Sequence, residues 1–186
     1  KDQLRKQQCV GQAFPLTSIK ILNEEGEECE PEEVGELFST SPYLFNGYWN
    51  RPEETEEALQ SGWLTVGDLA KKDEDGYLYI VDRKKDMVIS GGVNIYPREI
   101  EEVMFGHPNI NDVAIVGVAD EKWGESLKAF IVTKDKKSLK PEDVEKFCKG
   151  KISNIKIPKI ISLIDSIPRN ANGKVLKTEL RKKTDG

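Results

Sequence analysis

Five consecutive charged residues, Asp82-Arg83-Lys84-Lys85-Asp86, separate the apolar run Tyr77 to Val81 from the apolar run Met87 to Ile89. A chain does not ordinarily bury five charges in succession, so it is expected to surface here before returning to a core. The run therefore marks a domain joint. The residues beyond it constrain the fold as strongly. Ser90-Gly91-Gly92 offers backbone with no side-chain wall, and Pro97 opens a helix whose Ile100, Val103 and Met104 share one face. Such a bare stretch suits either a plain turn before the helix or the lining of a narrow ligand passage.

The two sides of the joint follow different patterns. Before it, strands are predicted at Ile19 to Leu22 and Gly35 to Thr40, with a turn at Asn23 to Glu27, and Pro31 and Pro42 bar long helices. Glu53 to Leu59 reads as a short helix, and Trp63 to Lys71 pairs with Tyr77 to Val81 across an Asp-Gly turn. After the joint, strand and helix alternate: helices from Pro97 and Pro141, strands at Asp112 to Val118, Leu127 to Thr133 and Lys159 to Ile164, and a last short helix from Lys174. Val113, Ile115, Val116 and Val118 suit a strand covered on both faces. The predicted fold class is α+β, with a small β-rich subdomain over residues 1–84 and an α+β domain of mixed short sheets flanked by helices over residues 85–186.

Charge and cysteine usage exclude several functions. With 28 basic against 33 acidic residues, the net charge of −5 argues against a general nucleic-acid binder. Lys134 to Lys137 reads as a solvated turn. The longest apolar run, Val113 to Ala119, falls far short of the roughly twenty residues that span a bilayer, and a cytoplasmic setting is expected. Cys9, Cys29 and Cys148 are odd in number and widely spaced, which supports neither a disulfide framework nor a zinc site. His107 is the only histidine, placed as an end-of-helix residue, so a histidine-dependent triad is set aside. The chain begins at Lys1 without methionine and is expected to be a fragment of a longer protein.

Four separated segments, Gly35 to Thr55 (GELFSTSPYLFNGYWNRPEET), Gly62 to Asp68 (GWLTVGD), Asp82 to Glu102 (DRKKDMVISGGVNIYPREIEE) and Pro168 to Lys174 (PRNANGK), run in the order found in one family. Together they closely resemble the C-terminal portion of the adenylate-forming acyl-CoA synthetases, a superfamily that includes firefly luciferase and the adenylation domains of peptide synthetases. The resemblance covers nearly the whole chain. The family's earlier motifs, a Ser/Thr/Gly-rich loop ending in lysine and a Tyr-Gly-x-Thr-Glu segment, are absent. The resemblance implies an ATP-dependent acid:CoA ligase that makes an acyl-AMP and passes the acyl group to CoA. It implies ATP and CoA as cofactors, Mg2+ in the full-length enzyme, and a carboxylic acid bound through a missing N-terminal domain. The fragment alone is expected to be inert, and its second domain to be mobile.

Site residues follow from the same resemblance. By composition Lys174 is a surface lysine on a flexible Asn-Gly neck; the resemblance makes it the catalytic lysine that bridges carboxylate and α-phosphate during adenylation. Asp68 and Arg83 correspond to contacts with the nucleotide ribose, which a carboxylate can grip through its vicinal hydroxyls. Val66 departs from the threonine usual in the family, so no hydroxyl is carried over there. Lys85 falls at the family's hinge, and Ser90, Gly91 and Gly92 at its pantetheine passage. Trp123 is expected to stack on the adenine of CoA, with Lys156 and Lys159 as mobile cations for its phosphates. Ile155 and Ile157 replace groups that some relatives use there. A different class of function, a nucleotide- or protein-binding module that keeps the fold without catalysis, would suit a chain lacking a phosphate-binding loop.

Overall fold

The structure, a computed structural model, describes residues 6–134 and 139–183. The turn expected at 134–137 therefore lies, beyond Lys134, outside the described residues. The chain divides into two compact units, Lys1–Lys85 and Asp86–Gly186, with the division inside the charged run.

In the first unit the strands are β1 (Ser18–Leu22), β2 (Gly35–Thr40), β3 (Leu59–Gln60), β4 (Trp63–Lys72) and β5 (Leu78–Arg83), with α1 (Pro52–Ala58) between β2 and β3. All pairings are antiparallel: β1 with β2, β2 with β4, and β4 with both β3 and β5. The long β4 thus organises the sheet. Its hairpin to β5 closes as an Asp-led turn, because the Asp73 carboxylate accepts the backbone N–H groups of Asp75 and Tyr77 at 3.0 and 2.9 Å. A bulge between Leu69 and Ala70 shifts the register, so that Asp68 stands opposite Arg83. Ile21, Cys29, Ala70 and Leu78 form the core of this unit.

The second unit holds β6 (Val88–Ser90), β7 (Val93–Ile95), α2 (Pro97–Phe105), β8 (Ile110–Asp120), β9 (Gly124–Thr133), α3 (Pro141–Cys148), β10 (Ile160–Leu163) and α4 (Lys177–Lys182). Strand β9 pairs antiparallel with β8, parallel with β10, and antiparallel with β6 through Ser90 and Gly124. Period-two alternation gives β8 two buried faces. Val113 and Ile115 join Ile100, Met104, Val144 and Cys148 from α2 and α3. Ala114 and Val116 join Phe130, Ile167 and Leu180, the last from α4. Each fully buried Ile or Leu in these clusters contributes about 1.5–3 kcal/mol.

Three sequence expectations are corrected. The charged run does not surface as a whole: Asp82 and Asp86 are buried, and only Lys84 and Lys85 are exposed. Asp86 tolerates burial because Arg181 of α4 lies 3.0 Å away. The bare glycine stretch is a turn, one of the two readings left open, but it closes a β6–β7 hairpin instead of leading straight into the helix. The last helix starts at Lys177 rather than Lys174, since residues 168–176 are spent on a hairpin of their own. Among the described residues no helix is long and apolar enough to cross a membrane.

Candidate functional site

Asp68 and Arg83 are brought together by the β4–β5 register. Arg83 Nη1 lies 3.1 Å from Asp68 Oδ1, and Nη2 donates to the Val66 carbonyl at 2.8 Å. Its Nε is buried without a hydrogen-bond partner among the described residues, and an orphaned charged donor of that kind is costly unless something meets it. A cleft of about 550 Å3 beside the pair is lined by Tyr48, Arg51, Thr65, Val66, Gly67 and Arg83, but not by Asp68. Glu36 stands at its edge. Burial pushes the Glu36 carboxyl up, yet hydrogen bonds from Lys84 (2.7 Å) and Thr65 (2.6 Å) outweigh this and hold it below the usual carboxylate range. Lys84 is thus tied down, while Lys85, the last residue of this unit, is exposed.

In the second unit, Gly91 (φ 59°) and Gly92 (φ 78°) form a two-residue turn between β6 and β7. Both positions need positive φ, which glycine supplies without strain. The turn is pinned rather than loose, because the Gly91 N–H donates to the Trp123 carbonyl at 2.9 Å. The Trp123 ring lies over Gly91, where a Cβ would come within 2.8 Å of Cε3. Asp120 fixes the tryptophan turn by accepting the N–H groups of Lys122 and Trp123 at 2.9 and 3.0 Å. Those bonds from Trp123 and Lys122 hold its carboxyl below the ordinary range.

Ser90, Trp123 and Lys159 meet at one cleft of about 470 Å3, together with Asp120, Ser126 and Ile155. Trp123 is half exposed there, presenting an aromatic face to whatever enters. Lys156, expected beside Lys159 as a mobile cation, does not line the cleft. Its Nζ is paired with Glu99 of α2 at 2.7 Å. Ile155 and Ile157 do line it, so the wall is apolar where a charged group would have gripped phosphate.

Lys174 is exposed and lies in a hairpin of residues 168–176. Leu176 N–H donates to the Pro168 carbonyl and Asn170 N–H to the Lys174 carbonyl, each at 2.9 Å. The Asn170 side-chain oxygen accepts the N–H groups of Asn172 and Lys174 at 3.0 and 2.9 Å, and Gly173 takes the left-handed position (φ 80°). The Lys174 ammonium has no hydrogen bond or ion pair among the described residues. This combination of a fixed backbone and an uncommitted cation suits a group that must meet an incoming anion.

Comparison with known proteins decides the lineage. The family described as AMP-binding enzyme matches residues 1–49, and that described as AMP-binding enzyme C-terminal domain matches residues 99–174. The chain belongs to the AMP-binding enzymes. Among curated relatives of this AMP-binding enzyme, a long-chain-fatty-acid–CoA ligase of Mycobacterium tuberculosis is 43% identical over 97% of the chain, which spans 36% of that protein. The long-chain-fatty-acid–CoA ligase of Escherichia coli O157:H7 is 42% identical over 95%, spanning 31%. The chain thus has about a third of the length of these relatives. Among solved structures, o-succinylbenzoate CoA synthetase of Bacillus subtilis bound to its acyl-adenylate superposes with a TM-score of 0.89 at 36% identity. That match covers 96% of this chain and 36% of the synthetase. ATP-bound MatB of Rhodopseudomonas palustris gives 0.86 at 35% identity, covering 95% and 35%. Both match the α+β fold.

Sequence reading of this AMP-binding enzyme named Ser90, Trp123 and Lys159 without knowing that they share a cleft. It missed Asp120 and Ser126, whose polar groups face the same space. The Asp-x-x-Trp spacing was the available signal, since an aspartate three residues ahead of a turn position commonly accepts its N–H. Among the described residues no group of three or more His, Cys, Asp and Glu side chains could hold a metal ion.

Proposed function

We propose that the full-length protein is an ATP-dependent acid:CoA ligase and that this chain supplies the end of its nucleotide-binding domain and its C-terminal domain. The observation that carries the reading is Lys174: an exposed, uncommitted ammonium on a braced turn. In the first half-reaction a carboxylate oxygen attacks the α-phosphorus of ATP, forming the acyl–phosphate bond as pyrophosphate leaves. Two anions must approach each other, and Lys174 offsets that repulsion while stabilising charge that develops on the phosphoryl oxygens. Asp68 holds the ribose hydroxyls, and Arg83, anchored by Asp68 and the Val66 carbonyl, is the second contact to the nucleotide.

In the second half-reaction the CoA thiol loses its proton and attacks the acyl carbon, and AMP leaves with the bonding pair. Ser90, Gly91 and Gly92 border the pantetheine path, Trp123 stacks on the adenine, and Lys159 meets a CoA phosphate. Lys156 plays that part only by giving up Glu99. Lys85, where the two compact units divide, is the hinge that lets one domain serve both steps. The acid is of the fatty-acyl class, which the long-chain ligases among the relatives support. The enzyme works in the cytoplasm, and the isolated chain is inert.

The deciding experiment uses the full-length ligase. Lys174→Ala should lower acid-dependent pyrophosphate exchange by about 10²–10³-fold while leaving thioester formation from supplied acyl-adenylate within about twofold. Equal loss in both steps overturns the assignment.

A further inference from the structure

The Lys174 hairpin is held by a contact with Asp112, a residue outside the four segments that carry the family resemblance. Arg169 sits opposite Val175 in that hairpin, and its guanidinium does two things at once. Nη1 donates to the Gly173 carbonyl at 2.9 Å, the peptide immediately before Lys174. Nη2 reaches both carboxylate oxygens of Asp112 at 2.9 and 2.8 Å. Asp112 is itself fixed: Oδ1 accepts the Val113 N–H at 3.0 Å, and its backbone lies at a bulge in the β8–β9 register between Ile110 and Asp112. A bulge re-aims one side chain without disturbing those that follow. Here Val113 to Val116 stay buried while Asp112 reaches the hairpin.

The internal hydrogen bonds of the hairpin set its shape, and the cluster of Ile167, Val175 and Leu180 seats its base. Neither fixes the direction of the tip. We infer that Asp112 and Arg169 are positioning residues for adenylation: a strap from the rigid β8 strand to the peptide preceding Lys174, which aims the lysine before substrate arrives. The inference rests on the reading of Lys174 as the adenylation lysine. A charge-assisted pair suits this task, because it is directional and stronger than a neutral hydrogen bond. Misplacing a catalytic group by about 1 Å costs up to roughly 10²-fold in rate.

The test measures both half-reactions in the full-length ligase with Asp112→Asn, Asp112→Ala, Arg169→Gln and the double variant Asp112→Ala/Arg169→Gln. Asp112→Ala and Arg169→Gln should each lower the pyrophosphate-exchange kcat by about 10–100-fold, with KM for ATP changed by less than about threefold. Thioester formation from supplied acyl-adenylate should stay within about twofold. The double variant should be no worse than the poorer single one, since both remove the same strap. Asp112→Asn keeps the Val113 bond and should fall in between. Full adenylation in Asp112→Ala, while Lys174→Ala is crippled, overturns the strap and leaves the role of Lys174 standing. Unimpaired adenylation in Lys174→Ala overturns the reading beneath it. Equal losses in both half-reactions make the pair merely structural and also overturn the strap.

Discussion

Gly91 and Gly92 look interchangeable in sequence, yet the structure assigns them different costs. Both have positive φ, 59° and 78°, so alanine at either site pays the left-handed penalty of about 1–2 kcal/mol. Around Gly92 an added Cβ meets nothing within 4 Å, and the penalty should end there. At Gly91 the added Cβ would lie 2.8 Å from Trp123 Cε3 and 3.2 Å from Cζ3. That is about 0.7 Å inside the roughly 3.5 Å of a comfortable carbon contact. The ring has to shift while its backbone carbonyl stays bonded to Gly91, and overpacking of this kind adds about 1–3 kcal/mol. Gly91→Ala should therefore destabilise the chain by about 2–5 kcal/mol and Gly92→Ala by about 1–2. Urea unfolding of this chain measures both. Removing the ring supplies the control: in a Trp123→Ala background the two glycine variants should converge, giving a coupling of at least about 1 kcal/mol between positions 91 and 123. Equal destabilisation by the two alanines, or no coupling, refutes the packing argument.

Other consequences are more quickly stated. In the full-length ligase, Gly92→Leu fills the open side of the turn, so thioester formation from supplied acyl-adenylate should slow while pyrophosphate exchange stays within about twofold; an unaffected second step rejects the passage. Leu180→Ala empties a fully buried site between α4 and β8 and should cost about 2–5 kcal/mol, read as a lower urea midpoint at unchanged slope. Burial pushes the His107 imidazole below its ordinary 6.5, with Asp143 opposing and Lys151 and Lys134 reinforcing. The unfolded chain then takes up a proton before the folded one does. Stability should fall as pH drops from 7 towards 5, at no more than about 1.4 kcal/mol per pH unit. Because the chain has one histidine, its imidazole proton resonance gives the folded midpoint directly, and a value at or above 6.5 sinks this expectation.

Local signals were readable in the sequence because each acts within a few residues. Asp73 and Gly76 announce their own hairpin, Pro97 and Pro141 their helices, and the unbroken apolar run from Val113 the strand that is buried on both faces. What escaped depends on distant partners. Strands β6 and β7 are three residues each, too short for a pattern, and stand because Gly124 and Trp123 meet them from another strand's end. Asp86 reads as a surface charge until Arg181, 95 residues away, lies beside it. The last helix is expected from Lys174, whereas Asn170 and Gly173 close a turn that delays it to Lys177. Of the candidate site, the resemblance could name residues one by one. It could not give their grouping, since the pairing of Lys156 with Glu99 and the cleft shared by Ser90 and Lys159 are products of folding.

Strand β8 is the shared wall of two apolar clusters, one roofed by α2 and α3 and the other by α4. Neither roof can melt away without exposing one side of that wall to water, so the two are locked into a single cooperative unit. The amides of Val113 to Val116 should be among the last in the second unit to exchange their protons with solvent.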